Sequence, residues 1–185
     1  MTRPRRRPAA EPPERGSAAQ DREPDPEAVA RAIALRLLTG APRSRHQIAE
    51  AMARRDVDPD VAARVLDRFT EVGLIDDAAF AREWVQSRQE GRGLARRALS
   101  QELRRKGVDS EVIADAVEEI DPHDEVESAR VLVRRKLPSL ARFDDVTKVR
   151  RLVGMLARKG HSSGVAFQVV REEMAEAAEH LDQLS

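Results

Sequence analysis

Apolar residues recur at every third or fourth position from Pro26 almost to the end of the chain, as in the series Val61, Val65 and Phe69. This spacing places apolar side chains on one face of an α-helix. Nine such segments follow one another. The segment 164–170 (GVAFQVV) would suit a strand by composition, but no neighbouring segment could pair with it. The pattern therefore predicts an all-α chain of nine helices.

Residues that favour helix ends separate the nine segments. Asp and Ser accept hydrogen bonds from the first free amides of a helix, proline is tolerated in the first turn, and Gly adopts the left-handed conformation that ends a helix. The predicted N-terminal caps are Asp25, Ser44, Asp58, Asp121 and Asp145, and Asp76 and Asp77 are read as further capping residues. The predicted left-handed C-terminal residues are Gly40, Gly73, Gly107 and Gly160.

An internal repeat underlies the helices. Three segments align without gaps over fifteen positions, at 52–66 (MARRDVDPDVAARVL), 103–117 (LRRKGVDSEVIADAV) and 156–170 (LARKGHSSGVAFQVV). Each has a large apolar residue, basic residues that suit a helix C-terminus, and then Gly or, less favourably, Asp56. With one preceding helix, each copy becomes a three-helix unit that gains part of its core from its neighbours.

We therefore predict three tandem three-helix repeats in an elongated array. The expected units are 26–75, 76–121 and 122–178. Residues 1–25 are rich in Pro and Arg and poor in large apolar side chains, which predicts a disordered tail. Residues 179–185 are expected to be a frayed C-terminus.

The residues that catalysis or metal binding would need do not cluster in this sequence. There is no Cys, no phosphate-binding glycine loop and no His spacing typical of zinc sites. Gly91 and Gly93 form only part of a glycine fingerprint, with no strand before it, and Trp84 is expected in the core. We expect no enzyme activity, no cofactor and no metal. Because neither an apolar run of membrane length nor a secretory signal is found, we expect a cytoplasmic location.

Charge is segregated along the chain although the formal net charge is zero. Residues 82–106 carry +5, 109–127 carry −9, 130–159 carry +8 and 171–185 carry −4. Such banding favours a partner with repeating charge, such as a polymer or filament. The alternative is internal pairing, in which the acidic third helices bind their basic neighbours.

Three stretches of the chain resemble a known family. GLIDDAAFAREWVQSR (73–88), GRGLARRALSQELRRKGVD (91–109) and RRLVGMLARKGHSSGVAFQVV (150–170) are similar to RecX, the regulatory protein of the RecA recombinase, and LRLLTGAPRSRHQIAEAM (35–52) resembles its first repeat. The resemblance covers about residues 28–175 and is closest to actinobacterial members. His161 departs from it, because the family often has Tyr there.

The resemblance implies a fold of three three-helix repeats and a function without catalytic residues. It implies binding to RecA and the RecA–DNA filament and inhibition of recombinase, ATPase and co-protease activities. Together with the charge bands it gives candidate contacts for RecA or DNA. These are Arg92, Arg96, Arg97, Arg104, Arg105, Lys106, Arg134, Arg135, Lys136, Arg150, Arg151, Arg158 and Lys159.

Two rival functions remain open. Three-helix units also serve as helix-turn-helix DNA readers, so the chain could be a direct DNA-binding regulator. A passive helical scaffold for another protein is the second rival. We expect a monomer with at most weak direct contact to DNA. If the protein binds a filament, we expect the binding residues to lie mainly in the second and third repeats.

Overall fold

A computed structural model describes residues 25–183, which are helical throughout apart from short connections. The helices are α1 Pro26–Gly40, α2 Arg45–Ala53, α3 Pro59–Glu71, α4 Asp77–Arg92, α5 Arg96–Arg105, α6 Ser110–Glu118, α7 Pro122–Lys136, a 3-10 helix Leu137–Leu140, α8 Asp145–Arg158 and α9 Ser163–Gln183. The all-α prediction is confirmed for these residues, including the helical reading of 164–170. None of these helices is long and apolar enough to cross a membrane.

The helices form three units, α1–α3, α4–α6 and α7–α9, each with its own core. The middle helix of each unit contributes two fully buried apolar residues, four positions apart and equivalent in the repeat. These pairs are Ile48 and Met52, Leu99 and Leu103, and Leu152 and Leu156. Since residues four apart share one helix face, this pair anchors the middle helix in each core.

The turn after each middle helix follows the predicted geometry. Asp56, Gly107 and Gly160 have φ angles of 57°, 71° and 90°, all in the left-handed region. The next helix is then capped by a side-chain oxygen; for example, the Asp109 carboxylate accepts a hydrogen bond from the Glu111 amide at 2.8 Å.

Consecutive units are joined by hydrogen bonds between equivalent positions of the repeat. The Ser44 hydroxyl donates to the Lys106 carbonyl at 2.6 Å, and the Ala95 amide donates to the Lys159 carbonyl at 2.9 Å. Ser44 and Ala95 are equivalent positions of the repeat, and so are Lys106 and Lys159. The start of one middle helix therefore meets the end of the next unit's middle helix. We call the contact at Ser44 and Lys106 the first joint and the contact at Ala95 and Lys159 the second joint.

The contacts between units explain why the first repeat has Asp56 where the other two have Gly107 and Gly160. A Cβ atom at Gly160 would lie 2.5 Å from the Ala98 amide nitrogen, and one at Gly107 would clash with His46. These glycines are required because the preceding unit approaches them closely. No unit precedes the first among residues 25–183, so a side chain is tolerated at Asp56. At the other end, α8 has 14 residues against 10 in α5, an additional turn at the end where a further unit would attach.

Three boundary predictions change. Gly40 is the last residue of α1 but is not left-handed; Ala41 follows it in an extended conformation. Asp144, not Asp145, caps α8, because its carboxylate accepts the Thr147 amide at 2.9 Å. Gly93, which the sequence analysis treated only as part of a fingerprint, is the left-handed residue that ends α4.

The acidic pair at 76–77 has two separate capping roles. Asp76 accepts the Ala79 amide at 2.8 Å and caps its own helix. Asp77 accepts the Arg45 amide at 2.8 Å and so caps α2 in the neighbouring unit. The capping prediction is confirmed, and Asp77 also strengthens the first joint.

The structure continues α9 through Gln183, past residue 178 at which we expected the third unit to end. The predicted disordered tail lies outside the described residues except for Asp25, which caps α1.

Candidate functional site

Three of the thirteen candidate cations are held in ion pairs within the chain. Arg92 lies 3.6 Å from Glu102, Arg96 lies 3.7 Å from Glu125, and Arg134 lies 2.6 Å from Glu173. These pairs join helices of the same unit or of neighbouring units. Their guanidinium groups are therefore partly neutralised before any partner binds.

Lys106 and Lys159 are structural residues of the joints. The Lys106 ammonium lies 3.8 Å from the centre of the Trp84 ring, and the Lys159 ammonium donates to the Arg92 carbonyl. Burial lowers the pKa of both lysines, with nearby arginines adding to the effect. Neither ammonium group is available as a free surface cation.

Trp84 is half-buried, and its ring contacts Phe80, Arg88 and Lys106. Its indole lies 5.9 Å from the Phe80 ring, and its Nε1 donates to Glu102 at 2.9 Å. Arg88 and Lys106 pack over the ring at 4.1 and 3.8 Å. The predicted packing role is confirmed, because Trp84 packs against the core of the second unit.

The remaining candidates are exposed and have no carboxylate within ion-pair distance among residues 25–183. They are Arg97, Arg104, Arg105, Arg135, Lys136, Arg150, Arg151 and Arg158. Arg151 packs 4.1 Å above the Phe143 ring.

Most of these free cations belong to the middle helices. We call the group Arg97, Arg104, Arg105, Arg150 and Arg158 the middle-helix ridge. In the repeat, the position of Arg97 corresponds to Arg150, and that of Arg105 to Arg158. The second and third units therefore carry the same arginine pair at equivalent positions of the repeat.

The charge bands of the third unit are partly paired within the chain. In the third unit, Glu173 is only 3% exposed and pairs with Arg130 at 3.3 Å and Arg134 at 2.6 Å. The internal alternative therefore holds between α7 and α9. Arg130 and Glu173 are absent from the predicted site residues, although the basic band 130–159 and the acidic band 171–185 indicated pairing within this unit.

The acidic band of the second unit is mostly unpaired. Four carboxylates of α6 and its C-terminal cap are exposed and have no cation within ion-pair distance in the part of the chain that the structure describes. They are Glu111, Asp115, Glu118 and Glu119. Among the described residues, internal pairing accounts only for the band's end, where Glu125 meets Arg96 at 3.7 Å and Glu127 meets Arg130 at 3.1 Å. Among residues 25–183, no group of three acidic, His or Cys side chains is arranged to hold a metal ion.

His161 lies at the second joint and is 3% exposed. Its Nε2 is 3.2 Å from the Gly93 carbonyl, which identifies Nε2 as the protonated, donating nitrogen. Nδ1 is buried without a hydrogen-bond partner in the described residues. Burial lowers the pKa of His161; Glu125 opposes this effect and Lys159 adds to it.

Acidification is expected to destabilise the protein through His161. Below about pH 6.5 the unfolded chain binds a proton that the folded imidazole does not, so stability falls by up to about 1.4 kcal/mol per pH unit until the folded group titrates. His161→Gln keeps a donor for Gly93 but cannot titrate. Urea unfolding at pH 7 and pH 5 should show a smaller loss for this variant than for the natural chain. Equal losses would contradict the assignment.

Protein-family models and individual known proteins match this chain along most of its length. Models of the first, second and third three-helix domains of RecX match residues 30–69, 76–117 and 123–170. The regulatory protein RecX of Streptomyces coelicolor is 53% identical over 170 residues, covering 91% of this chain and 90% of that protein. RecX of Mycolicibacterium smegmatis is 45% identical over 185 residues, covering 97% and 98%.

Solved structures are similar in fold. The crystal structure of RecX from Lactobacillus salivarius superposes with a TM-score of 0.75 at 18% identity, covering 82% of this chain and 98% of that chain. A second RecX crystal structure gives a TM-score of 0.73 at 23% identity, covering 80% and 73%. The three-repeat helical arrangement is thus shared at low sequence identity.

Proposed function

Because the chain belongs to the RecX family of regulatory proteins, we propose that it binds RecA and the RecA–DNA filament and inhibits the recombinase, ATPase and co-protease activities of RecA. Regulation, not catalysis, is the role that this family membership supports. The observation that carries the proposal is the middle-helix ridge, whose arginines are exposed and in which Arg97 and Arg105 of the second unit repeat as Arg150 and Arg158 of the third.

Repetition of the ridge suits a filament. A filament offers the same surface at every subunit, and two equivalent arginine pairs can engage two equivalent acidic surfaces at once. A 15-residue helix such as α7 is about 22 Å long, so a row of three units can reach across more than one subunit. Bridging subunits would resist the movements that ATP turnover and strand exchange require.

The ridge also makes the binding sensitive to salt. Exposed charges are screened over about 10 Å at 0.1 M ionic strength. We expect the affinity for the filament to fall steeply between 50 and 300 mM salt, while helicity remains unchanged.

Co-sedimentation with RecA assembled on single-stranded DNA tests the proposal. The chain should pellet with the filament and bind naked single-stranded DNA much more weakly under the same conditions. Tight, sequence-selective binding to duplex DNA without RecA would favour the helix-turn-helix regulator instead. Failure to bind RecA in either form would favour the passive scaffold.

A further inference from the structure

The three middle helices share one charge pattern with a different central residue. Each has a basic residue or His at two positions eight apart, and a third residue midway between them. The triplets are His46, Glu50 and Arg54; Arg97, Gln101 and Arg105; and Arg150, Gly154 and Arg158. Residues four apart lie on one helix face, so the central residue lies between its two partners.

In the first unit the central residue is an acid that engages both neighbours. Glu50 Oε1 lies 3.4 Å from His46 Nε2, and Glu50 Oε2 lies 3.7 Å from Arg54 Nη1. One carboxylate therefore lies between the two basic side chains. This unit shows that the spacing suits a carboxylate group.

The second and third units keep the basic pair and replace the acid. Gln101 and Gly154 stand at the position of Glu50 and carry no charge. The flanking arginines are exposed, and none has a carboxylate within ion-pair distance among residues 25–183. The same geometry is thus present without its internal anion.

We propose that the Arg97–Arg105 and Arg150–Arg158 pairs are two equivalent binding sites for carboxylates of a partner protein, which take the place that Glu50 holds in the first unit. The inference rests on the proposed function, in which the partner is RecA and successive subunits supply the same acidic side chain to both sites. A guanidinium group binds a carboxylate through two parallel N–H donors, which suits Arg at all four positions.

The proposal predicts that an internal acid competes with the partner. Gln101→Glu is nearly isosteric and restores the charge pattern of the first unit. Gly154→Glu is sterically allowed, because a Cβ there meets only the Arg158 guanidinium, at 3.5 Å. Both substitutions leave every arginine in place, so a loss of binding reports neutralisation alone.

The experiment measures affinity for the RecA filament on single-stranded DNA and, in parallel arms, for RecA without DNA and for naked single-stranded DNA. Each single variant should bind RecA roughly tenfold more weakly, and Gln101→Glu with Gly154→Glu about a hundredfold. Gly154→Gln, which adds the same bulk without charge, should bind within about twofold of the natural chain. Circular dichroism should give the same helicity for all variants.

The outcomes separate this inference from the proposed function. If the natural chain binds the filament and the double variant binds equally well, the carboxylate sites are wrong and the proposed function stands. If the double variant loses the same factor for naked DNA as for RecA, the sites bind phosphate, which also overturns the inference. If the natural chain does not bind RecA, both proposals fail.

Discussion

Reversing Arg104 and Arg105 to Glu is expected to weaken binding to the RecA filament by about two orders of magnitude, because each reversal replaces an attraction with a repulsion at the interface. Both side chains are exposed at the end of α5, and neither has an ion-pair partner among the described residues. Their loss should therefore leave the core and the joints intact.

Lys106 is left out of this variant on structural grounds. Its sequence neighbours and charge suggest reversing all three residues together. However, the Lys106 ammonium packs over the Trp84 ring, so its reversal would remove this contact and disturb the packing of the second unit. In a variant that also reverses Lys106, a loss of filament binding could not be distinguished from a loss of structure.

The matched control reverses Arg36 and Arg82, which changes the net charge by the same amount. Both are exposed on first helices, α1 and α4, and have no carboxylate within ion-pair distance in the range 25–183. This control should bind the filament within a few-fold of the natural chain. If both double variants lose affinity equally, net charge and not the middle-helix ridge governs binding.

Gly160→Ala is expected to damage the contact between the second and third units, lowering the free energy of unfolding by roughly 2–4 kcal/mol. Gly160 has a φ of 90°, and an added Cβ would lie 2.5 Å from the Ala98 amide nitrogen and 3.1 Å from its Cα. Because the obstacle is the backbone of α5, relief requires the second and third units to separate.

Two other glycines provide the comparison. Gly107→Ala should also be damaging, because an added Cβ would lie 2.2 Å from His46 Cγ and 2.4 Å from His46 Cβ, an atom that rotation of the side chain does not move. Gly40→Ala should cost nothing, since Gly40 is not left-handed and has open space around it. Urea unfolding should show large losses of stability at 160 and 107 and none at 40. A loss at 160 or 107 no larger than the loss at 40 would contradict the close approach of the units at these glycines.

Short-range patterns explain what the sequence could predict. A helical face, an N-terminal Asp and a left-handed Gly all depend on residues within a few positions of one another. The turn at Gly107 and the cap at Asp109 were predictable for this reason. The misassigned cap at Asp145 shows the limit, because two adjacent aspartates offer the same chemistry and only the backbone selects Asp144.

Long-range partners explain what the sequence could not predict. Arg134 and Arg135 read alike, yet only Arg134 reaches Glu173, which lies 39 residues away in the chain. The sequence alone suggests that Lys106 is a free cation, whereas in the structure its ammonium group packs over the Trp84 ring. Five of the thirteen candidates are tied up in this way. Asp56 is similar, since a side chain is tolerated there because no unit precedes the first one within residues 25–183, and not because of any local feature.

ATP hydrolysis by RecA on single-stranded DNA, measured during titration with this chain, tests the central claim most directly. The account predicts that the rate falls by more than half before one chain is present per RecA subunit, and that the Arg104→Glu, Arg105→Glu variant leaves the rate nearly unchanged. An unaltered rate in the presence of excess natural chain, under salt conditions where it pellets with the filament, would contradict the claim.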